Sequence, residues 1–179
     1  MNKTNRAVAN WEVAGIPLIF FTGSLLHFAY GWLGSQPVVG IFAAVNESVW
    51  EHLKLAFWPS VLYGIVEYAF LRKRSNNFGI GKAAGIWSMP ILIVVLFYTY
   101  TAVLGHHVLL VDILVFFVAV ALGQLASYLL LTARDAGRRL NLAGLLMLLL
   151  LAGAFYLFTF APPQLPLFRD AVTGRYGIE

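Results

Sequence analysis

Five long apolar stretches, residues 11–32, 47–71, 82–104, 108–133 and 140–161, take up most of the 179-residue chain. Each holds at least the ~20 residues that carry an α-helix across a hydrocarbon core roughly 30 Å thick. No water is at hand there to satisfy backbone N–H and C=O groups, so each stretch must close its hydrogen bonds within itself, as a helix. The fold class this predicts is all-α: a polytopic membrane helix bundle of about five transmembrane helices over residues 1–161, with a tail at 162–179. Composition agrees, with 60% hydrophobic and 11% charged residues against roughly 25% charged in soluble domains. With no cysteine, disulfides, thiolate nucleophiles, Cys-ligated zinc and iron–sulfur clusters are excluded.

The basic residues orient the bundle. Lys3 and Arg6 precede the first stretch, Arg72, Lys73, Arg74 and Lys82 flank the loop after the second, and Arg134, Arg138 and Arg139 lie between the fourth and fifth. The two opposite loops, 33–46 and 105–107, contain no Lys or Arg. The positive-inside rule then predicts a cytoplasmic N-terminus and an external C-terminus. It also accounts for the net charge of +4 without a nucleic-acid partner; membrane lipids are the expected surroundings. The first stretch is too long for a signal peptide and lacks a small-residue cleavage site, so it reads as a signal anchor. Residues 37–45 are apolar but too short to span, and form either a re-entrant or interfacial turn or an N-terminal extension of the second helix.

Depth follows from a rise of ~1.5 Å per helical residue. On that scale His27 stands about 24 Å, and Glu51, His52 and Asp112 about 30 Å, above the cytoplasmic ends of their helices. His106 and His107 lie just beyond, in the external link. All four histidines thus share one outer slab with several acids, where the cost of an ionisable group is moderate and water is scarce. His27, His52, His106 and Asp112 are the candidate metal ligands. Glu47, Glu51 and Ser24 are the candidate catalytic residues.

The densest run is Asn46-Glu47-Ser48-Val49-Trp50-Glu51-His52-Leu53-Lys54. At 100° per residue, Glu47, Glu51 and Lys54 fall within about 60° of one another, joined by Trp58, and Ser48 and His52 make a second i, i+4 pair. This is either a self-compensated salt-bridge face or a carboxylate–imidazole site in which Lys54 holds a glutamate ionised. On the first helix, Gly23, Ser24, His27 and Gly31 read as a close-packing face, or Ser24 and His27 as nucleophile and base. Adjacent histidines such as His106 and His107 diverge unless Gly105 makes a turn, and no HExxH spacing occurs. Gln124 and Glu67 read as packing and snorkelling residues. The tail, stiffened by Pro162, Pro163 and Pro166, is either an interfacial belt anchored by Phe168 and Tyr176 or a lid over the outer cluster.

The segments Gly23-Ser24-Leu25-Leu26-His27, Ala44 to Lys54, and Leu167-Phe168-Arg169-Asp170 with Thr173-Gly174-Arg175-Tyr176-Gly177-Ile178 resemble a family of small bacterial multi-pass membrane proteins, a domain of unknown function. The resemblance covers nearly the whole chain and implies a bacterial inner-membrane protein; it brings no activity. A weaker comparison is with membrane hydrolases related to alkaline ceramidases, which use a serine, an aspartate and three histidines around zinc within seven helices. Ser24, His27, His52, His106 and Asp112 offer the same residue types, but Ser-x-x-His stands for Ser-x-x-x-His and no His-x-x-x-His occurs.

The functions in view are an outward His/carboxylate site that binds a metal, zinc being the first choice, and hydrolyses a lipid or peptide-like substrate; a small transporter or channel subunit, with Gln124, Tyr63 and Glu67 lining its route; a bis-histidine haem site; and a structural or partner-binding membrane protein.

Overall fold

The structure, a computed structural model, describes residues 3–178. Met1, Asn2, Glu179 and the side chains of Lys3 and Thr4 lie outside the described residues, and with them Lys3's part in the basic flank and the last residue of the tail. The chain runs through α1 (Lys3–Trp32), a one-turn α2 (Pro37–Gly40), α3 (Val49–Leu71), α4 (Phe78–Leu104), α5 (Leu109–Leu131) and α6 (Arg138–Phe160), then a 3-10 turn at Pro166–Phe168. The all-α membrane bundle read from the sequence is what forms. α1 from Asn5, α4, α5 and α6 are long and apolar enough to cross a membrane. α3, as long as α5 at 23 residues, carries Glu51, Lys54 and Glu67 and does not reach that apolarity. All three charges are buried, because they sit where α3 packs on its neighbours, Glu67 against Lys82 of α4 and Glu51 and Lys54 against Thr159 of α6, while Leu62, Ile65 and Phe70 face outward.

Contacts at the two ends show the helices alternating in direction. At one end Asn77, just before α4, donates from Nδ2 to the carbonyls of Leu130 and Arg134, and its Oδ1 accepts from Ala136 N. Asn141 of α6 accepts from Gly79 N there. At the other end Lys54 of α3 meets Thr159 of α6. The main core is an apolar band of Ile19, Phe57, Ile86, Met89, Val120, Phe155 and their neighbours, with a smaller cluster of Val8, Leu71 and Leu131 beside it.

Three local expectations change. α4 begins at Phe78, one turn before the expected start, so Lys82 is inside a helix and only 4% exposed; it is not a free loop cation. Residues 37–45 are a turn and not an extension of α3, whose first residue is Val49 because Ser48 caps it, its Oγ accepting from Glu51 N. Of the small residues on α1, Gly23 is at an interface and Gly31 meets open space. A Cβ on Gly23 would run into the Leu55 carbonyl oxygen, so glycine is what lets α1 and α3 approach at this level.

Candidate metal centre at the end of the bundle

Gly23 stands one turn below His27 on α1, and Leu55 nearly one turn from His52 on α3. The close approach of backbones at that point carries the two imidazoles together, with ring centroids 5.0 Å apart. Glu47, from the loop before α3, completes the group. Its Oε1 is 3.8 Å from His27 Nε2 and its Oε2 3.4 Å from His52 Nε2. One ligand atom from each residue lies within 4.8 Å of the others. Two ligands each ~2.0–2.1 Å from a tetrahedral zinc are about 3.3–3.4 Å apart, so the His52–Glu47 pair already has ligand spacing and the rest of the group must close by up to about 1.4 Å around a metal. Glu47 is 48% exposed, which leaves the far side of such an ion open.

His52 is oriented by its own helix. Its Nδ1 lies 2.8 Å from the Ser48 carbonyl, and since a carbonyl can only accept, Nδ1 carries the hydrogen. Nε2 therefore faces the Glu47 carboxylate either as an N–H, in the imidazolium, or as a lone pair that needs a cation between them. Hydrogen bonding from His52 is also the chief reason Glu47 is held below the usual carboxylate range, against the opposing pull of its partial burial. His27 is placed by packing, its ring edge-on to Phe28 at 4.8 Å, and its Nδ1 is buried without a partner. A haem iron between the two histidines would need the space that the Glu47 carboxylate takes.

The loop that presents Glu47 is gripped from two sides. Inside, Lys54 Nζ is 2.5 Å from Glu51 Oε2 and donates to the Gly40 carbonyl at 2.6 Å and to Thr159 Oγ1 at 2.9 Å. Glu51 in turn accepts from Val45 N at 3.0 Å and from Thr159 Oγ1 at 3.0 Å. Lys54 and Glu51 are 0% and 2% exposed, so the expected salt-bridge face is a closed buried network. Glu47 is not in it; it precedes the helix and turns to the histidines. Outside, the tail folds back on the loop. Asn46 Nδ2 donates to the Gly177 carbonyl at 2.9 Å, and Phe168 packs against Trp50 and Phe158. Asp170 accepts from the backbone N–H groups of Val172 and Thr173 at 2.6 and 3.0 Å, and from that of Glu47. Burial pushes the Asp170 acid up, and these N–H groups outweigh it, leaving the acid below its usual range. Phe168 is buried and is not the headgroup anchor of a belt.

The remaining candidates lie apart from this centre. Asp112 pairs with Tyr100, whose hydroxyl donates to Oδ1, and with His107, whose Nδ1 is 3.2 Å from Oδ2. His106 turns back to the Leu104 carbonyl at 3.1 Å and is exposed, as Gly105 in the left-handed region reverses the chain. Ser24 donates to the Phe20 carbonyl at 2.8 Å. Glu67 and Gln124 are both buried and polar-bonded: Glu67 pairs with Lys82, and Gln124 donates to the Glu12 carbonyl at 3.1 Å. Glu67 does not snorkel. Glu12 is the buried acid the sequence reading passed over, because it sits at a polar helix end where an exposed carboxylate is the ordinary case.

Residues 1–178 match the model of a family of unknown function, DUF6512, and the chain belongs to that family. No curated protein and no solved structure matches it.

Proposed function

We propose that this membrane bundle binds a divalent transition metal, zinc first among them, through His27, Glu47 and His52. The observation that carries the reading is the Nε2 atom of His52, fixed by Ser48 so that it faces a carboxylate oxygen at 3.4 Å, with one ligand atom of each of His27, Glu47 and His52 within 4.8 Å of the others. Two nitrogens and one oxygen with one side open suit Zn²⁺. The Ser48 carbonyl is the outer partner that ligating histidines ordinarily have.

Binding is better supported than hydrolysis. Glu47 serves as a ligand, Glu51 is committed to Lys54, and Ser24 is bonded to its own helix. None of the three is free as nucleophile or general base. The basic residues support an orientation with the Arg-rich loops inside and the metal centre towards the outside, and the resemblance drawn from the sequence implies the bacterial cytoplasmic membrane.

The test is zinc titration and elemental analysis of protein purified without a histidine tag. One metal per chain is expected, with affinity falling at least tenfold in His52→Ala and in Glu47→Ala. Sub-stoichiometric metal, unchanged by substitution of His27 or His52, would refute the proposal.

A further inference from the structure

A second ionisable cluster lies at the opposite end of the bundle, one helical turn inside the ends of α3, α4 and α5. Lys82 of α4 reaches Glu12 of α1 at 2.6 Å and pairs also with Glu67 of α3. All three are buried, at 4%, 3% and 0% exposure. α5 contributes Ser127, whose Oγ donates to Glu12 Oε1 at 2.9 Å, and Gln124, which holds the Glu12 backbone carbonyl. α3 adds Tyr63, whose hydroxyl donates to the Trp11 carbonyl at 2.6 Å. The Phe78 ring lies 6.0 Å from the ammonium.

The charges do not balance. Two carboxylates share one ammonium, and among the described residues neither is paired with another cation. Fully ionised, the cluster would keep one uncompensated negative charge out of water, a costly state for a buried group. The Glu51–Lys54 network in the same chain shows the balanced alternative: one acid, one base, and both Glu51 oxygens accepting hydrogen bonds. In the triad, Glu12 Oε2 and Glu67 Oε1 have no hydrogen-bond partner. These are the atoms a proton would occupy. Like charges this close favour holding one proton between them.

We propose that Glu12, Lys82 and Glu67 form a proton-binding site, in which one carboxylate takes up and releases a proton while Lys82 stays charged. The ligand is the proton itself, and the step is only carboxylate plus proton giving carboxylic acid. Tyr63, one turn from Glu67, lines an open groove of about 270 Å³ together with Asn10, Trp11, Ala14 and Leu18, and the three ionisable side chains lie behind it, buried. A proton site buried among helices of this kind equips the protein to couple proton uptake to a change in the bundle.

Infrared spectroscopy of the full chain in lipid nanodiscs at neutral pH, with and without ¹³C-labelled glutamate, tests this. A protonated carboxyl C=O band that shifts with the glutamate label is expected in the native protein, because Glu47 is acidic and Glu51 is paired one to one. The band should be lost in Glu67→Gln and in Glu12→Gln, each of which leaves a balanced pair with Lys82. A native protein with no such band would show the triad to be fully ionised, and a band retained in both variants would assign the proton to another glutamate; either result overturns the proposal. The native, isotope-labelled measurement decides even if a variant fails to fold. Zinc is absent from the sample, so the result is independent of the metal centre.

Discussion

Replacing Glu51 by alanine should do far more damage than replacing Lys54 by methionine. Glu51→Ala removes the carboxylate that, among the described residues, alone pairs with a lysine that is 0% exposed, and strips Val45 N and Thr159 Oγ1 of their acceptor. Breaking a buried pair from one side costs about 3–5 kcal/mol. Lys54→Met removes the charge instead. Glu51 keeps two donors and can take a proton, methionine fills much of the space, and the main loss is the hydrogen bond to the Gly40 carbonyl, worth about 1–3 kcal/mol when left unmade. The double change Glu51→Ala with Lys54→Met should therefore cost less than Glu51→Ala alone, with a coupling of up to about 3 kcal/mol. Reversible unfolding in mixed micelles, followed by circular dichroism, gives these values. The same network holds Gly40 and Val45, so zinc affinity should fall in Glu51→Ala more than in Lys54→Met. Equal destabilisation by the two single changes, or additive losses in the double, would refute the reasoning.

Zinc binding to the imidazolium form of His52 displaces its Nε2 proton, so calorimetric heats measured in buffers of differing ionisation enthalpy should report proton release, absent in His52→Ala. Glu47, acidic because His52 hydrogen-bonds to it, should lend the metal-free protein stability above the ordinary carboxylate range and lose it only as pH falls through its own lowered value; an acid transition unchanged by Glu47→Gln would refute this. Ending the chain after Pro166 removes the Asp170, Phe168 and Gly177 contacts, and should leave the helices inserted while His27 and His52 react faster with a membrane-impermeant imidazole reagent. Reporter fusions after Arg74 and Arg139 should indicate cytoplasm and one after Ser35 the outside; an external signal from the 72–82 loop would overturn the orientation.

Apolar length puts the helices in the sequence, since that signal is local, and it overrides Pro17, Pro59 and Pro90, which lie inside helices. His27 and His52 were legible as a pair because depth along a helix follows from counting residues. Asp112 and His106 share that depth and still lie elsewhere, since counting gives height but not azimuth. Glu47 was assigned to Lys54 by extending helical phase to residue 47; the Ser48 cap stops the helix first and frees Glu47 to face the histidines. Glu12 and Lys82 are 70 positions apart, and no local pattern joins them. Lys82 stood beside Arg72, Lys73 and Arg74 and read as one more flanking cation.

The buried charges of α3 bear on how the protein is made. Synthesis delivers α3 to the membrane before Lys82, the partner of Glu67, and well before Thr159, the residue that links Glu51 and Lys54. Charges inside a spanning helix raise the cost of inserting it alone, less towards its ends than at its centre, and α3 lacks the apolarity that its four companions use to offset such a cost. Its final seat thus depends on chain made later: α4 brings the Lys82 charge that pairs with Glu67, and α6 the Thr159 hydroxyl that joins Glu51 and Lys54. Biogenesis of this bundle is then a cooperative event timed by its last helix.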